Sequence, residues 1–317
     1  MRVLITGGAG FIGSNLVSRL INDNEIIVID NLSTGKEKNI EEFYSNPNFK
    51  FIERDITDNS IIDFIKNLNV DMIYNFACPA SPKYYLEHPI ETWESNVLGV
   101  RNLLEVIKGT NIRLFQSSTS EVYGDALEYP QNEEYFGNVN PIGVRACYDE
   151  GKRAAESIIY DYIRKYNVDV RVARIFNTYG PKMSILDGRI ISNFINQALK
   201  NENITIYGTG NQTRSFCYID DTIDFIIKLM NSDIKIQKPI NVGNTYELSI
   251  NAIANIIKEK LNSNSKIVYL SPLSDDPQKR KPNISRAREL FNFEPKVDFE
   301  TGLSKTIEYF KGLYEKD

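Results

Sequence analysis

Tyr148 and Lys152 are the two residues whose types and spacing point most directly to catalysis. They stand four residues apart at the start of a predicted helix, so their side chains share one face, one turn apart. Only Tyr148 among the 18 tyrosines has a lysine four residues later. On spacing alone, a solvated pair on an amphipathic helix is the simpler interpretation. A phenol has a pKa of about 10, and about 4 kcal/mol of stabilisation by positive charge would make it a base near neutral pH.

A glycine-rich turn near the N-terminus predicts the cofactor that such a base would serve. An apolar strand leads into G-x-x-G-x-x-G at Gly7, Gly10 and Gly13, and an amphipathic helix follows. Gly7 and Gly10 would let the backbone approach a pyrophosphate, and Gly13 would let the helix pack on the strand. The second strand ends at Asp30, where a carboxylate accepts a hydrogen bond from a ribose 2′-OH. The pattern predicts an NAD site, and Asp30 favours NAD over NADP because it would repel a 2′-phosphate. Asp55, which closes the third strand, is predicted to contact the adenine, although a helix cap fits it equally well.

Hydroxyl residues follow the fifth predicted strand, as Ser117-Ser118-Thr119-Ser120, and Glu121 comes next. Such a run is common in turns and helix caps. In a nicotinamide enzyme, however, it would lie at the cleft beside the carboxyl ends of the strands. We therefore interpret Thr119 as the hydrogen-bond partner of the reacting oxygen and Glu121 as an acid-base group. Lys152 and the cationic nicotinamide would together lower the pKa of Tyr148.

The elements that must position these residues alternate as in a doubly wound α/β protein. We predict strands near 2–6, 25–30, 49–55, 71–77, 113–118 and 169–177, and helices near 11–22, 59–67, 88–108 and 148–166. Shorter strands near 204–207, 214–219, 239–242 and 266–270 then alternate with helices near 189–200, 220–231, 249–261 and 300–313. The predicted fold is a Rossmann-type parallel sheet over residues 1–180, which carries the Tyr/Lys helix. Residues 181–317 form a smaller α/β substrate lobe, partly interwoven with the sheet, and the ligand cleft lies between the two.

Composition excludes several classes of function. The net charge of −5 argues against a nucleic-acid-binding protein, which needs a basic face. A single histidine, His88, rules out histidine triads and His-rich metal sites, so no metal is expected. The three scattered cysteines suggest neither disulfides nor zinc. No apolar run approaches a membrane span and no signal peptide is evident, so we expect a cytoplasmic protein.

Beyond these motifs, essentially the whole of residues 1–315 resembles the extended short-chain dehydrogenase/reductases, and among them the UDP-glucuronate decarboxylases, also called UDP-xylose synthases. The glycine turn and the Tyr/Lys pair are shared by the whole superfamily. More specific are the segments Pro79-Ala80-Ser81-Pro82, Ser118 to Gly124, Asn140 to Gly143, Arg145 to Arg153, Arg174 to Thr178 and Asp275 to Pro282.

The resemblance implies a role for each matching position. Tyr148 would be the base, Lys152 its activator, Thr119 the partner of the C4 oxygen and Glu121 a group acting at C5, with Arg280 near the sugar. The implied NAD-binding residues are Gly7, Gly10, Phe11, Ile12, Gly13, Asp30, Asn31, Gly35, Asp55, Ile56, Phe76, Tyr148, Lys152 and Thr178. The implied UDP-sugar-binding residues are Pro79, Ser81, Ser120, Asn177, Arg189, Tyr207, Arg214 and Arg280. Arg189 has the weaker case, because an arginine on a surface helix is usually solvated.

Three positions depart from the family pattern. Asn75 stands where relatives usually have histidine, Cys78 where they usually have serine, and Glu94 where a basic residue is expected. The resemblance implies decarboxylation of UDP-glucuronate to UDP-xylose through a 4-keto intermediate, with NAD regenerated. It also implies a homodimer packed through the helices near 88–108 and 148–166.

Other functions stay open. A nucleotide-sugar 4,6-dehydratase normally has an Asp-Glu pair where Ser120 precedes Glu121. A 4-epimerase leaves Glu121 and the Arg145 to Arg153 segment harder to explain. A non-catalytic NAD-sensing protein is also open. The retention of Tyr148, Lys152 and Thr119 together argues against this last alternative.

Overall fold

Uninterrupted apolar runs such as Val3 to Ile5 and Ile26 to Ile29 form strands that are buried on both faces. Such strands belong inside a parallel sheet with helices on either side. The structure, a computed structural model, describes residues 1–272 and 279–315. Its strands are β1 Arg2–Thr6, β2 Glu25–Asp30, β3 Phe49–Glu53, β4 Met72–Asn75, β5 Arg113–Thr119, β6 Val170–Ile175, β7 Thr178–Tyr179, β8 Ile204–Tyr207, β9 Thr213–Ser215, β10 Cys217–Tyr218, β11 Ile240–Val242, β12 Glu247–Ser249, β13 Ile267–Leu270 and β14 Lys279–Arg280.

Seven strands form one parallel sheet in the order β3-β2-β1-β4-β5-β6-β11. The chain order reverses between β1 and β4, and ligands of such sheets bind at the carboxyl ends beside this switch point. The predicted Rossmann-type fold is therefore confirmed. The predicted third strand ends earlier than expected, at Glu53, so Asp55 follows it in a loop.

Helices cover both faces of the sheet and build the second lobe. They are α1 Phe11–Leu20, α2 Ile61–Lys66, α3 Pro82–Glu87, α4 Pro89–Glu94, α5 Val100–Ile107, α6 Ala146–Tyr166, α7 Ile190–Leu199, α8 Ile219–Met230, α9 Ile250–Lys260, α10 Ser285–Phe291 and α11 Phe299–Tyr314. Within residues 1–272 and 279–315, no helix is long and apolar enough to cross a membrane.

The single helix predicted near 88–108 is confirmed over residues 89–107, although its middle part is π-helical and a short helix that precedes it was not predicted. A separate helix, α3, ends at His88, whose φ of −128° is non-helical because proline at 89 disfavours a helical residue before it. A π-helical stretch, Ser95–Gly99, then separates α4 from α5. Gly99 lets this stretch pack closely on Ile56, since a Cβ there would lie 2.4 Å from the Ile56 Cδ1.

The second lobe shares its core with the sheet. The strand predicted near 239–242 as part of that lobe instead joins the main sheet as β11, beside β6. One apolar cluster runs from Val3 in β1 to Phe310 in α11, so sheet and lobe are packed as one body on that face. The boundary between the two units at residue 180 stays a prediction. β11 follows that boundary in the chain but belongs to the main sheet.

Candidate active site

A cleft of about 810 Å³ opens at the carboxyl ends of the main strands and extends into the second lobe. Its size falls in the range of small-molecule sites. Every predicted catalytic, cofactor and substrate residue borders this one cleft. Of the motif expected from Asp275 to Pro282, residues Asp275 to Gln278 lie outside the described part of the chain.

The glycine turn is built by close backbone contacts. Gly7 has a φ of +72°, and a Cβ there would lie 2.5 Å from the carbonyl carbon of Phe76. A Cβ on Gly13 would lie 2.3 Å from the Gly7 carbonyl oxygen, so the glycine lets α1 pack on the end of β1 as expected. Gly10 precedes α1 in extended conformation. The first backbone N–H groups of α1 therefore border the cleft, where they favour an anion.

Asp30 is the acid at the end of β2, and its carboxylate is already anchored. It accepts hydrogen bonds from the backbone N–H groups of Ala9 and Leu32, each at 2.9 Å. A Cβ on Gly35 would lie 2.9 Å from both Asp30 oxygens, so the glycine keeps the space above the carboxylate open. Burial raises the pKa of Asp30, and the two backbone hydrogen bonds oppose that rise. A carboxylate has about four acceptor sites, so Asp30 can still accept from a ribose.

Asp55 closes a local turn. It accepts from the backbone N–H and the hydroxyl of Thr57 at 2.8 and 2.7 Å, and from the Asn31 amide at 2.8 Å. Burial alone would raise the pKa of Asp55, but these hydrogen bonds outweigh it and lower the pKa. The predicted pair Asn31 and Asp55 thus forms one hydrogen-bonded unit at the edge of the cleft.

One face of α6 is fastened to the end of β5. Lys152 donates from Nζ to the Ser117 carbonyl at 2.9 Å, and the Glu156 carboxylate accepts from the Ser118 hydroxyl at 2.5 Å. Glu156 also forms a two-point pair with Arg174 of β6, at 3.0 and 2.7 Å. Positions 148, 152 and 156 repeat every four residues, so these bonds fix where Tyr148 points.

Tyr148 is buried, and its side chain lies beside that of Thr119. The sequence led us to expect that Lys152 and the nicotinamide together lower the pKa of this phenol. In the protein itself, burial raises the pKa of Tyr148 well above its usual value, and the neighbouring Thr119 side chain opposes this rise. The Lys152 ammonium lies 5.8 Å from the centre of the Tyr148 ring.

Tyr85 of α3 was missed by sequence reasoning. Its ring stacks on that of Tyr148 at 5.2 Å between centroids and 10° between planes. Its hydroxyl is buried and has no hydrogen-bond partner within residues 1–272 and 279–315. Pro82 marks the start of a helix in the sequence and could have indicated Tyr85, which lies one turn later in α3 and borders the cleft.

Glu121 lies in a short 3₁₀ turn after β5 and forms buried ion pairs with two arginines. Arg280 reaches it at 2.5 Å (Nη1 to Oε1) and 2.9 Å (Nη2 to Oε2), and Arg145 at 2.6 Å. Burial alone would raise its pKa, but the positive charges of Arg280, Arg145 and Arg214 hold the pKa of Glu121 below its usual value. Arg214 reaches this group because β9 pairs with β14, which places it opposite Arg280. The sequence analysis named Arg145 only as the first residue of the segment Arg145 to Arg153 and gave it no role at the site.

The other predicted substrate and cofactor residues differ in how they meet the cleft. Arg189 pairs with Asp187 at 2.5 and 2.9 Å and lies 5.9 Å from the Phe11 ring, which places it near the glycine turn. Thr178 has its hydroxyl directed to the Phe176 carbonyl and to Thr222. The remaining predicted lining residues are Ile12, Ile56, Pro79, Ser81, Ser120, Asn177 and Tyr207.

The three departures have distinct settings. Asn75 is buried, accepts from the Thr6 hydroxyl at 2.7 Å and donates to Gln116 at 2.8 Å, so it ties β1, β4 and β5 together. Cys78 borders the cleft next to Lys152, and burial raises the pKa of its thiol. Glu94 ends α4 and is half-buried. In the described ranges, no group of three or more His, Cys, Asp or Glu side chains could hold a metal ion.

Comparisons with known proteins agree on one family. The model of the GDP-mannose 4,6 dehydratase family matches residues 4–306. UDP-glucuronic acid decarboxylase 1 of Xenopus tropicalis is 49% identical over 311 residues, which cover 98% of this chain and 72% of that protein. UDP-glucuronic acid decarboxylase 3 of Arabidopsis thaliana is 48% identical over 313 residues, which cover 98% and 89%. Among solved structures, the UDP-glucuronic acid 4-epimerase from Bacillus cereus, in complex with UDP-glucuronic acid and NAD, aligns with a TM-score of 0.90 at 26% identity. That alignment covers 99% of this chain and 100% of the epimerase.

Proposed function

We propose that this chain, which belongs to the GDP-mannose 4,6 dehydratase family of extended short-chain dehydrogenases, converts UDP-glucuronate to UDP-xylose and carbon dioxide. Within that family it belongs to the UDP-glucuronic acid decarboxylases. The observation that carries the proposal is the placement of Glu121, held by Arg145 and Arg280, in the same cleft as the Tyr148, Thr119 and Lys152 group. Glu121 and its two arginines can act at C5 of the sugar, and the Tyr148, Thr119 and Lys152 group can act at C4.

The residues around the glycine turn fit NAD. The open space that Gly35 leaves over the Asp30 carboxylate suits a ribose diol, and the start of α1 suits a pyrophosphate. NAD, when bound, would take the hydrogen of C4 as hydride and return it later in the same turnover. Structural neighbours such as the Bacillus cereus epimerase were solved with NAD.

Tyr148 and Thr119 are placed to handle the C4 oxygen. Because burial raises the pKa of Tyr148, its phenolate must be stabilised by positive charge before it can accept the C4 hydroxyl proton. Lys152 supplies part of that charge, and its hydrogen bond to the Ser117 carbonyl keeps the ammonium in place. The Thr119 hydroxyl borders the cleft with Tyr148 and would donate to the same oxygen, stabilising it as negative charge develops.

A ketone at C4 turns the sugar into a β-keto acid, whose carboxylate is lost as carbon dioxide with the electron pair passing to the C4 oxygen. Tyr148 and Thr119 would stabilise the resulting enolate. The positive charges of Arg145, Arg214 and Arg280, which lower the pKa of Glu121, would also attract an anionic uronate at this end. Glu121 then passes a proton to C5, and reduction of the ketone gives UDP-xylose.

The alternative reactions use the same C4 chemistry and differ at Glu121. A 4,6-dehydratase needs an acid for the departing C6 hydroxyl, and the buried Ser120 stands at that position. A 4-epimerase has no C5 chemistry for Glu121, Arg145 and Arg280 to perform. An NAD-sensing protein would not need Thr119 beside Tyr148 or the hydrogen bond that fixes Lys152 to Ser117.

We also propose a homodimer packed through α4, α5 and α6 in the cytoplasm. Exposed apolar side chains on the α3–α5 surface, Leu86, Ile90, Trp93 and Leu98, support the interface. Light scattering tests it, with a Trp93→Asp variant expected to shift the mass towards that of a monomer.

The function is tested by incubating the purified protein with UDP-glucuronate and NAD while following carbon dioxide, NADH and nucleotide sugars. The proposal expects UDP-xylose and carbon dioxide in equal amounts without net NADH. Accumulating 4-keto pentose with one NADH per carbon dioxide would instead indicate an oxidative decarboxylase that releases its intermediate. An epimerised or dehydrated sugar without carbon dioxide would overturn the proposal.

A further inference from the structure

The proposed reaction consumes one proton in each turnover. The bond from C5 to the carboxylate carbon breaks, carbon dioxide leaves, and a C–H bond forms at C5. The proton that Tyr148 takes from the C4 hydroxyl returns to that oxygen when the ketone is reduced, so it is not available for C5. This inference rests on the proposed function, and the structure must then provide a separate entry for a solvent proton.

Glu121 can deliver that proton but is a poor store for it. Arg145 and Arg280 lie within 2.6 Å of its oxygens and hold its pKa low, so Glu121 is ionised at neutral pH. A carboxyl with a low pKa gives up its proton readily once it has one. Another group beside Glu121 must therefore supply it.

A second cavity lies behind Arg145. It has a volume of about 220 Å³, which is room for several waters, since each takes about 30 Å³ in the liquid. The loops 124–125 and 138–143 enclose it together with Arg145 and Asp149. Arg145 borders both this cavity and the large cleft, so its side chain forms part of the wall between them.

Asp149 is the acid in this wall. It follows Tyr148 in α6 and is only 7% exposed, and its Oδ2 lies 3.9 Å from the Arg145 Nε. Its Oδ1 is buried and has no hydrogen-bond partner in the described ranges of the chain. A buried carboxyl oxygen without a partner is costly if charged, so the site favours the protonated acid.

The groups around Asp149 reinforce this preference. Burial and the negative charge of Glu121 raise the pKa of Asp149 to about 7, against the opposing charges of Arg145 and Arg280. The ionisable groups that face it from the packed elements are Tyr85, Glu121, Arg145, Cys147, Glu150 and Arg280. Near neutral pH, Asp149 can thus hold a proton beside an ionised Glu121.

We propose that Asp149 is the proton donor that reloads Glu121 in each turnover, and that the second cavity is the route by which Asp149 regains its proton from solvent. The two acids contact the same Arg145 guanidinium, Glu121 at 2.6 Å and Asp149 at 3.9 Å, so a water between them would carry the proton: the O–H bond of Asp149 breaks, and one forms on Glu121. Glu121 then gives this proton to C5, and water in the cavity returns one to Asp149. The route lets a proton enter while the substrate fills the large cleft.

The test compares Asp149→Asn with the wild-type enzyme, and uses Asp161→Asn as control because Asp161 is an exposed aspartate of the same helix. Stopped-flow absorbance of bound NADH reports oxidation at C4, and chromatography reports UDP-xylose. We expect Asp149→Asn to oxidise C4 within about threefold of the wild-type rate, and to lower kcat for UDP-xylose by about tenfold or more while bound NADH accumulates. The control should match the wild type in both measurements.

The pH profile separates proton supply from a structural role. The wild-type kcat should fall as the pH rises through about 7, where Asp149 loses its proton, whereas the low kcat of Asp149→Asn should not change in this range. Asp149→Glu should restore most of the activity and the pH dependence. Equal loss of C4 oxidation and product formation, or an unchanged kcat and pH profile in Asp149→Asn, would overturn the inference. A wild-type enzyme that releases no carbon dioxide would instead overturn the proposed function and this inference with it.

Discussion

Arg280 and Glu121 form a two-point ion pair across the floor of the cleft, Nη1 to Oε1 at 2.5 Å and Nη2 to Oε2 at 2.9 Å. The two residues are 159 positions apart in the chain, and they meet because β14 pairs with β9 beside the end of β5. A two-point pair fixes the plane of the carboxylate as well as its charge. The pair therefore fixes the orientation of the Glu121 carboxylate in the cleft.

Replacing this carboxylate by its amide should separate the two halves of the reaction. Glu121→Gln keeps the shape but cannot transfer a proton to C5, so kcat for UDP-xylose should fall by about 10²-fold to 10⁴-fold. Oxidation at C4 by the Tyr148 group should persist. Bound NADH and the 4-keto sugar should accumulate, which absorbance and mass spectrometry would detect. A Glu121→Gln enzyme with normal UDP-xylose formation would rule out the assigned role.

Tyr148→Phe should stop the reaction earlier, at the oxidation of C4. The variant keeps the ring that stacks on Tyr85 but removes the hydroxyl that lies beside Thr119. Both oxidation at C4 and product formation should fall together by about 10²-fold to 10⁴-fold. Single-turnover absorbance measures the first and chromatography the second. NAD affinity should change little, and normal turnover in this variant would contradict the proposed mechanism.

Much of this site could be predicted because its motifs are local. Gly7, Gly10 and Gly13 lie in one turn, and Tyr148 and Lys152 lie one helical turn apart, so the glycine motif together with the pair spacing reveals them. The Rossmann-type parallel sheet followed from the alternation of strands and helices, which is also a local pattern. The break at His88 was also visible in principle, since Pro89 follows it.

The parts that sequence reasoning missed depend on contacts between distant segments. β11 joins β6 across a gap of more than 60 residues, and a short strand carries no sign of which sheet it will join. Tyr85 contacts Tyr148, and Asp149 faces the cavity behind Arg145, only after α3 and α6 have packed. The direction of the Tyr148 pKa depends on burial, which the pair spacing could not show.

Asp30 should decide which dinucleotide binds. Its two carboxylate oxygens accept from the backbone N–H groups of Ala9 and Leu32, so Asp30→Asn removes the charge and also leaves one of these N–H groups without its acceptor. We expect NAD affinity to fall by about tenfold, because hydrogen bonds from a ribose to a charged acceptor contribute about 1.5–3 kcal/mol. The preference for NAD over NADP should narrow, since the repulsion of a 2′-phosphate is lost. Calorimetric titration measures the affinities for NAD and NADP, with Asp63→Asn at an exposed position as control. An unchanged preference for NAD over NADP would contradict the role of Asp30 in choosing the dinucleotide.

The pair of Glu156 and Arg174 should be a major determinant of stability. Both side chains are about nine-tenths buried, so Glu156→Ala leaves an unpaired positive charge inside the protein. We expect the free energy of unfolding to fall by about 3–5 kcal/mol. Asp161→Ala, which breaks the exposed pair of Asp161 with Arg164 on the same helix, should cost less than about 1 kcal/mol. Chemical denaturation compares the two variants, and equal losses would show that burial of the Glu156 pair does not matter.

Asp149 should reduce the stability of the protein as the pH rises. Its pKa is about 7 in the folded protein and 3.8 without that environment, so between these values the unfolded chain loses a proton that the folded one keeps. Asp149 therefore does not lower the free energy of unfolding below pH 3.8. Between pH 3.8 and about 7 it lowers this free energy by a growing amount, on the order of 4 kcal/mol at most. Asp149→Asn, which does not titrate, should gain stability relative to the wild type across this window and keep a constant advantage above it. Denaturation midpoints measured from acid to mildly alkaline pH would show this, whereas a stability difference that does not vary with pH would mean that Asp149 titrates normally.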